Sequence, residues 1–283
     1  MNNLVYLNHL LRIERKKLFP YRAFNVMLTL YAGLFVLCTI AFSDQIFNSI
    51  WELIPDSVQG NFRTNIAWNA IAYFAGFFNV FLSYAVILYT CNEYGYRTWR
   101  QSFIDGLQRR EALLGKLLMI GLLTLATTLL VALMGVYQEL NMPHRASFPL
   151  GLPYMGLYAL QLFSTLVMAF FFAVWLRKTG LAILLFGAWW YLLDGFLLYY
   201  AILPADVAVF LPASNLKDLV HIPGMDELLA QEPTGTLAGT QEALNGFAKL
   251  MFRPSYLRGV LVASGYNVLF IFLCYRLLQR RDI

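Results

Sequence analysis

The chain has 283 residues, 59% hydrophobic and only 13% charged, with a mean hydropathy of +0.59. A soluble domain carries about 25% charged and about 45–50% apolar residues, so composition excludes an ordinary soluble fold. The apolar residues come in long blocks, which excludes the short alternating strands of a β-barrel. The class is an all-α polytopic membrane protein, one transmembrane domain over residues 1–283.

Residues 2–21 read as an interfacial helix. Leu4, Leu7, Leu11 and Leu18 fall on one face at helical spacing, with Asn8, Arg12, Arg15 and Lys16 mostly away from it. Basic residues over an apolar stripe suit a helix lying against anionic membrane lipid, and Pro20 marks the bend that follows. A span needs about 20 apolar residues. Six segments satisfy this: Ala23–Phe42, Ile66–Cys91, Ala112–Tyr137, Tyr154–Leu176, Leu181–Leu203 and Tyr256–Tyr275. The first two are joined by a short acidic loop, Ser43–Asn65. Spans three and four are joined by Gln138–Pro153, where Pro143, Pro149 and Pro153 are expected to prevent helix. Arg177–Gly180 makes spans four and five an antiparallel hairpin.

Between spans two and three lies a charged island, Glu93 to Lys116. It carries Arg97, Arg100, Arg109, Arg110 and Lys116 against Glu93, Asp105 and Glu111. Lys116, near the start of span three, is expected to extend its stem to the interface. An extended region, residues 204–255, separates spans five and six. Its segment 205–211, apolar but too short to cross, suggests a re-entrant or interfacial element. Ser214–Ala230 and Thr240–Met251 read as short surface helices.

With the N-terminus inside, the cytoplasmic segments hold fifteen of the 21 cations. The positive-inside rule then places both termini in the cytoplasm. The net charge of +5 reflects this asymmetry and gives no reason to expect nucleic acid as a partner. The first 21 residues are too polar for a signal-peptide core, and span one is expected to act as an uncleaved signal. Cys38, Cys91 and Cys274 are scattered in or beside spans and read as packing residues.

There is no G-x-x-x-x-G-K-[ST] string, so the sequence offers no P-loop for a nucleotide phosphate. There is no H-E-x-x-H, and His9, His144 and His221 lie in separate segments outside the spans, so no metal site is expected. Asp194 is the ionisable residue inside a span, in WWYLLDGFLLYY. Such a residue either lies on a substrate path or is held by hydrogen bonds within the bundle. The abundant aromatics fit interfacial belts or an aromatic pocket for an amphipathic ligand.

The pattern resembles the permease subunits of ABC-2 type ABC transporters. The resemblance rests on the N-terminal helix, six spans with both ends inside, the island after span two, and the long external region before span six. Its most specific part is the succession Glu93, Arg97-Thr98, Gln101–Leu107, Arg109-Arg110-Glu111 and Gly115-Lys116. Where many members carry a proline turn, this chain has Asp105-Gly106-Leu107-Gln108-Arg109. The resemblance implies a permease of an ATP-driven exporter, multi-pass in the bacterial cytoplasmic (inner) membrane. Residues 93–111 would form its coupling segment, with Glu93, Arg97, Thr98, Arg100, Gln101, Asp105, Arg109, Arg110 and Glu111 engaging a partner. Partners would be separate ABC ATPase subunits, a second permease copy in a homodimer or heterodimer, and membrane lipid. No cofactor is expected on this chain, and ATP and Mg belong to the ATPase, so the chain is not expected to be an enzyme. A gradient-driven transporter or channel, and a non-transporting scaffold subunit, are the alternatives.

Overall fold

The computed structural model describes residues 3–18, 20–52, 59–141, 151–192, 210–220 and 256–280. Among these, the regular structure is helical throughout. Helix α1 (Asn3–Leu18) is followed by a turn at Pro20 and then by α2 (Arg22–Glu52). Next come α3 (Gln59–Gly95), the short α4 (Thr98–Ile104) and α5 (Arg109–Asn141). Helices α6 (Leu152–Leu176) and α7 (Thr179–Ala188) form the expected hairpin across Arg177 and Lys178. The short α8 (Pro212–Lys217) and the long α9 (Tyr256–Arg280) complete the set.

Among the described residues, five helices have stretches long and apolar enough to cross a membrane: Arg22–Ala41, Trp68–Gly95, Arg109–Leu140, Leu152–Leu176 and Tyr256–Arg280. The sixth expected span is described only at its start, where Thr179–Leu192 is apolar but shorter. Residues 193–203, with Asp194, lie outside the described residues, as do Thr240–Met251 and most of 204–255.

Several boundaries differ from expectation. The loop expected at Ser43–Asn65 is helical through Glu52 and again from Gln59. No proline intervenes before Pro55, and a polar residue alone does not stop a helix already propagating. Pro153 starts α6 instead of breaking it, because proline in the first turn sacrifices only an amide with no intrahelical acceptor. The surface helix expected over Ser214–Ala230 is, where described, the six-residue α8, whose residues Pro212–Leu216 are all buried.

Helix α6 is the hub. It packs against α3, α5, α7, α8 and α9, and 67% of its most apolar stretch is buried, against 17% for α2 and for α9. A helix apolar all round belongs in the interior. Its hydroxyls turn back on the helix: Ser164 donates to the Leu160 carbonyl and Thr165 to that of Gln161, both at 2.7 Å. Cross-links at mid-helix use the remaining polar groups. Tyr31 of α2 donates to the Tyr158 hydroxyl at 2.7 Å, and Tyr158 donates to Asn79 Oδ1 of α3 at 2.9 Å. Asn267 of α9 donates to Ser164 at 2.8 Å. Bonds of this kind between membrane helices contribute about 0.6 kcal/mol each on average.

The far ends of α3, α5 and α6 meet around Trp68. Its indole lies flat on two glycines: a Cβ at Gly135 or Gly151 would come within 2.4 or 2.3 Å of the ring. The indole N–H donates to Glu139 at 3.3 Å.

Candidate functional site

The island is a helix–turn–helix built from short-range signals. α3 ends at Gly95, and Arg97 takes a left-handed conformation (φ 57°) to reverse the chain into α4. The Thr98 hydroxyl donates to the Glu93 carbonyl across this turn. α4 closes in a Schellman turn: Leu107 N–H bonds the Ser102 carbonyl and Gly106 N–H that of Phe103. Gly106 supplies the required positive φ of 96°. α5 then opens with the Glu111 carboxylate accepting from the Gln108 N–H at 2.8 Å, half of a capping box. The Gln101–Leu107 part of the succession, where the resemblance implies a short helix, is helical only to Ile104, within the helix Thr98–Ile104. The DGLQ sequence does with glycine and a cap what a proline turn does by fixing φ.

The inner side of this unit is anchored. Trp99 is buried, stacked on Tyr94 at 5.5 Å between ring centroids and tilted against Phe103. Beside it lies a buried ion cluster. Lys116 of α5, 2% exposed, contacts Glu14 of α1 at 2.8 Å and Glu93 of α3 at 2.5 Å. Tyr89 donates its hydroxyl to Glu14 at 2.7 Å, and its ring lies 3.9 Å below the ammonium. Lys17 reaches Glu93 at 3.5 Å and donates to Ser102 of α4 at 3.0 Å. Two cations meet two carboxylates, so the cluster is neutral and ties α1, α3, α4 and α5 together. Burial pushes the Glu14 carboxyl up, but the Lys116 charge and the hydrogen bonds from Lys116 and Tyr89 outweigh it and hold it below its ordinary range. The Glu14 side chain packs beside Gly115, where a Cβ would lie in ordinary contact with it at 3.4 Å.

The expected coupling residues thus divide. Arg97, Arg100, Gln101 and Asp105 are exposed. With them stand two large apolar side chains, Tyr96 (77% exposed) and Ile104 (76% exposed). Glu93 turns inward to Lys116, Thr98 bonds the turn and Glu111 caps α5. Arg109 donates to the Leu278 and Gln279 carbonyls at 2.5 and 2.8 Å, satisfying the end of α9. Arg110 donates to the Tyr275 hydroxyl at 2.8 Å and lies over its ring. The expectation that Lys116 snorkels is corrected, because two carboxylates within reach make burial better than exposure. Asp194, the other candidate, lies outside the described residues.

Glu14 and Tyr89 are missing from the sequence-based candidates. Glu14 carried a readable signal. It falls three residues after Leu11 and four before Leu18, inside the apolar stripe of α1, and a carboxylate there needs a buried cation. Among the described residues, no group of three or more His, Cys, Asp or Glu could hold a metal ion. Comparison with protein-family models, curated proteins and solved structures yields no match.

Proposed function

We propose that this chain is the membrane-spanning permease subunit of an ATP-driven ABC exporter, with α4 and its flanking turns as the element that docks a separate ATPase. One observation carries the reading. A short helix outside the apolar stretches is fixed from within by Trp99 and a neutral ion cluster, yet it presents Tyr96 and Ile104 to solvent among Arg97, Arg100, Gln101 and Asp105. Exposed aromatic and aliphatic anchors ringed by charge are what an interface core and rim require. Rigid mounting lets a push on α4 move α1, α3 and α5 together, which transmission of an ATP-driven movement needs. The sequence resemblance supplies the partner class, and the absence of a P-loop string fits a motor on another chain.

In this reading both termini, α1 and α4 face the cytoplasm, the chain crosses six times, and two copies form the path. The test is association. Tyr96→Ala with Ile104→Asp alters only exposed side chains and is expected to leave the helix bundle intact while a P-loop ATPase no longer copurifies in stoichiometric amount. Undiminished copurification with that double variant sinks the docking role of α4.

A further inference from the structure

The molecule holds a second feature that docking does not use. A cleft of about 280 Å³ opens between α3, α6 and α7, with Lys217 of α8 at its edge. This is near the low end of small-molecule sites, roughly 300–1,000 Å³. Its walls are largely aromatic, from Tyr73, Phe77, Phe186 and Trp190. Part of the wall is irregular: residues 189–192 form a π-helical turn, a feature frequent at functional sites. Lys217 donates to the Trp190 carbonyl of that turn at 2.6 Å and lies 5.1 Å from the Trp190 ring centroid.

Gln161 also lines this cleft, nine residues into α6. That places it roughly 14 Å along the helix axis, deep within an apolar span. The residue is 6% exposed, and its side-chain carbonyl, Oε1, has no hydrogen-bond partner. An unpaired amide oxygen in such surroundings is costly. The neighbouring hydroxyls do not help. Ser83 donates to the Asn79 carbonyl at 3.0 Å and Thr165 to the Gln161 backbone carbonyl, so both spend their protons on their own helices. The Gln161 carboxamide, an acceptor oxygen beside its own N–H2 donor, is therefore a polar point on an aromatic wall, and a hydroxyl can pair with either atom. The Lys217 ammonium at the rim disfavours a cation.

We infer that the cleft binds a neutral amphipathic molecule, apolar over most of its length and carrying a hydroxyl that pairs with the Gln161 carboxamide. The inference goes beyond docking and does not depend on it. The test uses the full chain in lipid nanodiscs without any ATPase, so its failure leaves the docking question untouched. Three matched photoactivatable probes are compared: a diazirine-bearing decanol, the corresponding decane and the corresponding decylammonium. Labelling is mapped by peptide. The outward face of α5, where Leu122, Leu125, Leu129 and Leu133 are exposed, reports general bilayer contact. Decanol is expected to label the α3, α6 and α7 peptides above decane by roughly three- to tenfold, the worth of one hydrogen bond. Unlabelled decanol should suppress that excess but not the α5 signal, and Gln161→Leu should abolish it with α5 labelling unchanged. Equal cleft labelling by decane, preference for the ammonium probe, or failure of unlabelled decanol to compete overturns the inference. An excess that survives in Gln161→Leu overturns it too.

Discussion

Lys116 sits where a lone ammonium would be intolerable, and its two carboxylate partners make it stable. The arithmetic of charge decides which substitution is worst. Lys116→Met leaves Glu14 and Glu93 buried around a vacated cation site, and is expected to cost on the order of 3–5 kcal/mol. Glu14→Gln leaves the Lys116–Glu93 pair and should cost less, about 1–3 kcal/mol. Combining Lys116→Met with Glu14→Gln and Glu93→Gln removes the three buried charges, leaves the 28%-exposed Lys17 to water, and should recover most of the loss. Thermal unfolding midpoints of the detergent-solubilised protein check the order, and a triple variant no better than Lys116→Met would contradict it. The pH dependence follows the same charges. The folded Glu14 carboxyl titrates below its ordinary, unfolded value. Its contribution is therefore complete at neutral pH and is lost as pH falls below the ordinary carboxylate range through the folded value. Wild type should lose more of its unfolding midpoint than Glu14→Gln over that acid range. Parallel pH profiles would contradict the assignment.

Two elements show what a sequence reveals and what it conceals. Apolar length made α2, α3, α5, α6 and α9 legible, because crossing a membrane demands a run of residues that nothing else in a chain requires. The ion cluster was not legible in the same way. Glu14, Glu93 and Lys116 lie far apart in sequence, and although the place of Glu14 in the apolar stripe asks for a cation, which cation answers depends on α1 folding back against α5, a tertiary contact. The sequence resemblance assigns all nine named residues of the coupling segment the same expected role, engaging a partner. The structure splits them by direction, since Arg109 and Arg110 turn to α9 while Arg100 and Gln101 stay exposed. The glycine-lined seat of Trp68 makes a further prediction for an element junction. Gly135→Leu drives a side chain into the indole, and overpacking of this kind costs typically 1–3 kcal/mol. Gly121→Ala, where nothing lies within 4 Å, should be neutral or stabilise by up to about 1 kcal/mol through helix propensity. Equal midpoints for these two variants would show that the seat of Trp68 does not hold the bundle.

At the scale of the molecule, α6 organises the bundle while α4 and its turns stand apart from the five apolar stretches, joined to them through a neutral cluster. Only 17% of the apolar stretch of α2, and the same share of that of α9, is buried, which suits contact with lipid or with a second copy of the chain. Two apolar surfaces that composition alone cannot tell apart are separate in space: exposed faces of the long helices, and the Tyr96 and Ile104 side chains around α4, which the proposed function assigns to lipid and to protein. Topology provides a first check. Single cysteines at exposed positions 100 and 101 should resist an impermeant reagent applied outside intact cells, and labelling there would reverse the orientation. The most direct measurement places a photo-crosslinking amino acid at Ile104 in the native membrane, with Leu125 of α5 as the lipid-facing comparison. The account predicts that position 104 joins one P-loop ATPase in high yield and that the adduct is absent from position 125. Adducts from position 104 to lipid alone, or to no ATPase while the protein remains folded and abundant, would contradict it.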